Sequence, residues 1–394
     1  MRRNATRLCL ALASAAAFAG EAPSPAMAFV QALEASASTP EKRQEAWQKL
    51  QETGQAPPRQ VVGAVEKARS RAWQRLAQLL GTLQGKKPVA GLRSAVAPHQ
   101  AKVRDLVNGN AFSKEKLDEA MAPIEKALDA AMAVLEESDK FKPLSDAVHE
   151  METYAAGCGL RFGWNEELRD VLVQVTFVSQ CAGGIRWRSL LGANRELAAW
   201  IDPGEHACIE RLNTHRILLG LPPLEMDLRL VVAAKKHSEE MVAKKYFAHE
   251  SPTAELKTPW QRAGREHTKA NGECIAYGQG AGVGTFMGWY YSQGHHKIML
   301  GGGPCIGVGR CADTWTLLMG GAGAASPAAS RMAAYVRKRY EAGDKPEPLL
   351  ELARWCAANQ LLVQAQDELE RLLVLAPDNE VARKAIERMR SRKR

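Results

Sequence analysis

Apolar residues recur every three or four positions from Thr39 to about Trp200, a spacing that predicts helices almost without interruption. Thr39-Pro40-Glu41 supplies an N-cap, a proline at the first helical position and an acidic first turn. Ala56-Pro57-Pro58 opens a second helix with Val61, Val65, Leu76, Leu79 and Leu80 at helical spacing. Ser113 starts a third, whose stripe is Leu117, Met121, Ile124, Leu128, Met132 and Leu135, with Pro123 a candidate kink. Asn165-Glu166-Glu167 caps another running through Leu168, Leu172, Val175 and Val178. Residues 39–200 thus read as an all-α region. Nothing catalytic stands out in it, because His99 and His149 are isolated.

The texture changes at Asp202-Pro203. Asp202 caps a helix carrying Ile209, Leu212, Ile217 and Leu218, which Gly220 and Pro222-Pro223 stop. Asp227 caps the next, whose stripe of Leu230, Ala234, His237 and Met241 faces a core and whose end is expected near Tyr246-Phe247-Ala248-His249. His249 would then sit just past a helix C-terminus, where a cationic imidazole is favoured. Glycine concentrates at 278, 280, 282, 284 and 301–303, and two short runs, 306–309 and 315–319, predict a strand hairpin about Ala312-Asp313-Thr314. Residues 203–321 therefore form a mixed domain, and the fold class is α+β.

Small residues over 320–330 read as a linker, within a stretch 322–347 expected to hold only a short helix. Residues 348–394 give two antiparallel helices with a turn at Asn359, then Pro377-Asp378-Asn379 before a last helix. Small residues at Ala357 and Ala365 permit close packing, and the segment resembles one tetratricopeptide-type hairpin. Stacked repeats need about three units for stability, so a single hairpin must dock on the rest of the chain or on a partner.

At 46% hydrophobic and 25% charged, the 394-residue chain has a globular balance. Arg2, Arg3 and Arg7 precede an apolar run and the A-x-A sites Ala17-Phe18-Ala19 and Ala26-Met27-Ala28, which is the layout of a signal peptide over residues 1–28. The run is shorter than the ~20 residues of a membrane span. Later apolar stretches are broken by Lys, Arg or Glu, so no transmembrane span is expected, and a secreted, periplasmic or cell-surface location is. A net charge of +9 invites a nucleic-acid partner. Yet residues 383–394 alone hold seven basic residues against Glu387, without aromatic interleaving. No nucleic acid is therefore expected, and the sharper use of the tail is electrostatic contact with an anionic envelope surface.

Loss of Cys9 with the leader leaves Cys158, Cys181, Cys208, Cys274, Cys305, Cys311 and Cys356, an odd number in a compartment that permits disulfides. Cys158 and Cys181, each beside glycine, are candidates to bridge two helix ends. Cys305 and Cys311 flank one predicted strand, ~20 Å apart at ~3.3 Å per residue, and cannot pair with each other.

The middle domain contains, in order, LNTHRILLGLPPLEMD, AAKKHSEEM, YFAHESP, NGECIAYG, GWYYSQGHHKIML, CIGVGRC and WTLLMGG. Together, over about 207–321, these resemble the CAP superfamily of cysteine-rich secretory, antigen 5 and pathogenesis-related proteins, in its bacterial secreted branch. The resemblance implies a three-layer α-β-α sandwich (the SCP domain) with a cleft lined by two histidines and two acidic residues. His249 matches the first histidine, in the H-x-S-P setting, Glu273 the glutamate of G-E-N, and His295 the histidine of G-H. The second acidic residue has no match, and Ser292 stands roughly where members outside the bacterial branch have Glu. Cys274 replaces the usual Asn after the glutamate, and a bridge from it to Cys305 or Cys311 is expected. His296 is expected to face solvent.

Two imidazoles and one carboxylate, His249, His295 and Glu273, are a candidate ligand set for Zn or another divalent ion; the alternative is that these residues brace the helices around the sheet. Peptidase order H-E-x-x-H, a nucleophile elbow, G-x-G-x-x-G and a P-loop are all absent. The expectation is a non-enzymatic binding protein whose cleft takes a small apolar, lipid or glycan ligand, with protein partners at the helical regions and no required cofactor. The alternatives are a metal-dependent hydrolase of peptides or cell-wall material, and a structural envelope protein.

Overall fold

The computed structural model of the protein describes residues 23–83, 89–158, 173, 184–321 and 327–391. Most of the expected leader, the cap at Asn165 and the thiol of Cys181 lie outside the described residues.

Two compact units divide the chain. The first takes the described residues of 1–72 and 147–159. Within it, α1 (Pro25–Glu34) and α2 (Pro40–Gln51) start at Ser24 and Thr39, whose side-chain oxygens accept from the backbone three residues on. The early turns of α3 (Arg59–Leu83) and the later turns of the helix at 141–157 complete the unit. Phe29, Trp47 and Tyr154 form an aromatic core, with ring centroids 4.8 Å apart for Phe29–Trp47 and 5.1 Å for Phe29–Tyr154. Arg43 forks onto Glu150 at 2.6 and 2.7 Å.

The second unit takes residues 73–146 and 160–394. The helices of 39–200 are thus shared between two units, and α4 (Leu92–Asn108) and α5 (Lys114–Glu136) belong with the domain that follows them. Gln100 donates to the Leu218 carbonyl at 2.8 Å and Gln293 to that of Val107 at 3.1 Å. After α6 (Phe141–Gly157), α7 (Gly184–Leu197) supplies Asn194, which accepts from the Met226 amide and donates to the Leu224 carbonyl.

Helix α8 (Pro203–Leu218) opens with a capping box in which Asp202 and Glu205 satisfy each other's backbone donors. Strand β1 (Glu225–Met226), too short for any periodicity to announce, precedes α9 (Leu228–Lys244), which Asp227 caps. Then come α10 (Pro259–Arg265), β2 (Lys269–Ala276), α11 (Gly282–Tyr290), α12 (Gln293–Leu300), β3 (Cys305–Cys311) and β4 (Thr314–Gly321). The sheet order is β1-β3-β4-β2, with β3–β4 and β4–β2 antiparallel and β1 parallel to β3. One face takes α9 and α10; α8, α11 and α12 cover the other. Two glycines of β3 set the spacing: a Cβ on Gly307 would lie 2.3 Å from the Val231 nitrogen, and one on Gly309 2.1 Å from that of Lys235. The α-β-α domain therefore owes its tight first layer to the G-V-G run.

The expected Cys274 bridge does not form, and Cys158, Cys274, Cys305 and Cys311 are all free thiols. Register explains it. Cys274 pairs across β4 with Leu317, which pairs with Val308, so Cys305 and Cys311 lie two strands away and three residues to either side. Two strand spacings alone come to ~9.6 Å, beyond the Cα separation of any disulfide.

The stretch expected to be linker and short helix holds a 16-residue helix, α13 (Pro327–Ala342), with Met332 and Tyr335 buried. Beyond it, α14 (Pro346–Ala358) and α15 (Leu362–Leu375) form the hairpin, and α16 (Glu380–Ser391) follows. The hairpin docks on the sandwich through charge. Asp367 meets Lys236 and Arg265, each at 2.6 Å, Arg371 meets Glu239 at 2.7 Å, and Gln364 donates to Glu266 at 2.8 Å. Among the described residues, no helix is long and apolar enough to cross a membrane.

Candidate functional site

The three family-matched residues come from three elements that meet at the edge strand β2. Glu273 is the fifth residue of that strand and lies opposite Leu318, so its side chain points to the layer of α9 and α10. There it is buried, 3% exposed, and both of its oxygens are engaged. One accepts from Arg262 at 2.5 Å and the other meets the His249 Nδ1 at 2.9 Å. Arg262, on α10 and equally buried, also donates to the carbonyls of Leu256, Lys257 and His249. A single guanidinium thereby fixes the carboxylate and the loop that carries the histidine.

Helix α9 ends at Lys244, earlier than expected, because Lys245 adopts the left-handed conformation at φ 55°. His249 therefore lies in a loop and not at the helix terminus. Glu240 holds that loop by accepting from Tyr246, Ser251 and Thr253. Although burial pushes the Glu240 carboxyl up, these donors and Lys244 bring it down to about 2. The histidine itself is half-exposed, and its imidazole is shifted up first by the hydrogen bond to Glu273, not by a helix dipole.

His295 lies in the first turn of α12. Burial and then the nearby charge of His249 shift it down, and its Nδ1 is buried with no hydrogen-bond partner. Ser292 is the N-cap residue of the same helix, yet its side chain makes no capping bond. Cys274, next to Glu273 but facing the opposite layer, approaches the His295 carbonyl at 3.8 Å. His249, Glu273 and His295 are thus brought together at one strand edge, whereas, among the described residues, no side-chain contact joins Ser292 to them. His237 is buried in the core as expected; burial brings it down to about 4, and its Nε2 meets the Ala248 carbonyl.

The donor set does not fit a three-ligand divalent ion. Glu273 is already neutralised by a buried guanidinium, and among the described residues no group of three or more His, Cys, Asp or Glu side chains could hold a metal ion.

Two features escaped the pattern of the sequence. Arg262 belongs to no recognisable motif. His296, expected in solvent, is fully buried: its Nδ1 lies 2.7 Å from the Tyr290 carbonyl and its Nε2 2.9 Å from the Nε2 of His215. On a helix the neighbour of a cleft residue turns by ~100°, and here that turn takes it into the packing between α8 and α12. Just before His249 and just after β2, Phe247 and Tyr277 are exposed by 51% and 66%, with ring centroids 6.1 Å apart.

Residues 209–310 match the model of the cysteine-rich secretory protein family. Over 115 residues the chain is 34% identical to the uncharacterized protein YkwD of Bacillus subtilis, covering 28% of this chain and 45% of that one. The uncharacterized membrane protein YlbC of the same bacterium is 32% identical over 96 residues, 24% of this chain and 28% of that one. Among solved structures, an extracellular protein containing a SCP domain from Bacillus anthracis is 30% identical over 30% of this chain and 40% of that chain, with a TM-score of 0.29. The chain spans less than half the length of the curated relatives it matches.

Proposed function

Because this chain carries a CAP domain over residues 209–310, we propose that it is an exported binding module, not an enzyme, and that the cleft of His249, Glu273, His295 and Ser292 takes a glycan. One observation carries the choice of binding over hydrolysis: both Glu273 oxygens are committed, to Arg262 and to His249. A general base must come within hydrogen-bond reach of the proton it takes, and this carboxylate, 3% exposed with both oxygens engaged, offers a substrate little access. Hydrogen-bonding groups at the cleft, with the exposed Phe247–Tyr277 pair at its approach, instead suit a sugar, whose C–H face stacks on an aromatic ring while its hydroxyls are hydrogen-bonded. Export rests on the layout of residues 1–28, and the basic C-terminal tail would hold the protein near an anionic envelope surface.

Calorimetry of the purified chain with chitotetraose tests this. Saturable binding is expected, weakened about tenfold by Tyr277→Ala, as for the loss of an aromatic anchor, with the sugar recovered intact after incubation with Zn. Absence of binding, or equal binding by the variant, removes the glycan assignment. Cleavage that depends on His249 would put the hydrolase in its place.

A further inference from the structure

Where α15 gives way to α16, the chain leaves apolar side chains uncovered. Val374, in the last turn of α15, is 80% exposed, the most of any large apolar side chain among the described residues. Leu375 beside it is 44% exposed, and Val381, across the turn in α16, is 53% exposed. Leu369, Leu372, Ala382 and Ile386 of the same two helices are all buried. The corner is therefore a packed structure that carries apolar residues on its outer side.

The same corner carries cations. On α16, Val381, Lys384 and Arg388 stand three and four positions apart and so share one face, all of them exposed, while Ala382 and Ile386 face inward. Arg383 folds back to donate to the Pro377 carbonyl at 2.8 Å, which sets its guanidinium at the turn itself. Four more basic residues follow between 390 and 394. The acids nearby are Glu370, Asp378, Glu380 and Glu387, of which Glu370 accepts from Gln366 and Glu380 from Lys384. The seven cations of α16 and the tail outnumber these four.

We propose that the α15–α16 corner docks on an anionic phospholipid bilayer, with Val374, Leu375 and Val381 entering the headgroup boundary and Arg383, Lys384 and Arg388 meeting lipid phosphates. This rests on the export and envelope contact proposed above, and it adds to a diffuse attraction a surface that inserts. A second copy of the chain suits the corner less, because a two-fold contact would set the same cations against one another. An anionic wall polymer would take the cations and leave the valines in water.

Co-sedimentation of the full chain with vesicles of mixed phosphatidylglycerol and phosphatidylcholine, and of phosphatidylcholine alone, tests it. Binding is expected to the anionic vesicles only, and should fall about tenfold or more when salt is raised to about 0.5 M. Val374→Ser and Val381→Ser should each weaken it about tenfold, as for one aliphatic side chain no longer buried. Arg388→Gln should weaken it about fivefold, as for one charge near the surface. The two valines lie on different helices, so one serine variant decides should the other fail to fold. The glycan reading is tested at Tyr277 and this one at Val374, so either can fail alone. The proposal is overturned if anionic vesicles do not carry the protein down, if neutral vesicles do so equally, or if a folded serine variant binds like the wild type, which would leave a tail held by charge alone. It is overturned too if light scattering without vesicles shows a dimer that Val374→Ser dissolves, since a second copy then covers the corner.

Discussion

Two histidines adjacent on α12 inhabit opposite surroundings. His295 is half-buried at the cleft, close enough to His249 to feel its charge. His296 is fully buried, with both ring nitrogens engaged. The regions they belong to differ in the same way. At the cleft, charge is present and paired, as Arg262, Glu273 and His249 form a chain reaching from the core to solvent. Between α8 and α12, by contrast, His215 and His296 meet at 2.9 Å, both shifted down first by burial. Paired charge at an open edge suits a polar ligand whose groups replace water.

Breaking the buried end of the charge chain should have the largest effect. Arg262→Met leaves Glu273, 3% exposed, without its guanidinium, and loss of one partner of a buried pair costs about 3–5 kcal/mol. Urea denaturation should show this at pH 7. A loss below ~1 kcal/mol would mean that water reaches Glu273 and that the pair is not what holds the loop.

Acid has the next largest effect. His237 and His296 have folded values near 4 against ~6.5 unfolded. The unfolded chain therefore takes up protons first, and stability falls as pH drops from about 6.5 to 4, by about 3 kcal/mol for each group. Denaturation midpoints measured across that window should fall steadily. A flat profile would show that these rings are not held neutral.

The hairpin contact gives a smaller effect. Asp367→Ala removes the shared partner of Lys236 and Arg265 and should cost about 1.5–3 kcal/mol, as for hydrogen bonds to charged groups. Asp367→Asn, which keeps hydrogen bonding without charge, should recover part of that loss if the charge is what docks the hairpin.

How far the sequence carries can be judged from these same residues. Helix starts at Thr39, Ser113, Asp202 and Asp227 were legible because capping is local chemistry, decided within three or four residues. The β3–β4 hairpin was legible for the same reason. His249, Glu273 and His295 were singled out by their motif settings, and the fold brings His249 onto Glu273. Arg262 was not, because its partner stands eleven residues away across a loop and a strand, and no periodicity links them. His296 was misplaced because a polar residue beside a cleft residue looks solvent-facing until the helix it sits on is packed against α8. The Cys274 bridge failed on register, which a strand shows only once its neighbours are ordered.

The smallest effect separates the two halves of the cleft. His249 is 52% exposed, so its contact with Glu273 is screened by water and is worth no more than about 1 kcal/mol. Its folded value is raised, first by the hydrogen bond to Glu273, so the contact contributes fully below the unfolded value of ~6.5 and is lost as pH rises through the folded one. His249→Ala should therefore lower the denaturation midpoint slightly at pH 5.5 and leave it unchanged at pH 8.5. Arg262→Met should lower the midpoint at both pH values, since its bond to Glu273 does not depend on the imidazole. An equal loss from His249→Ala at both pH values would mean that the imidazole acts by packing, and that the charge chain stops at Glu273 without reaching the solvent edge where a ligand would meet it.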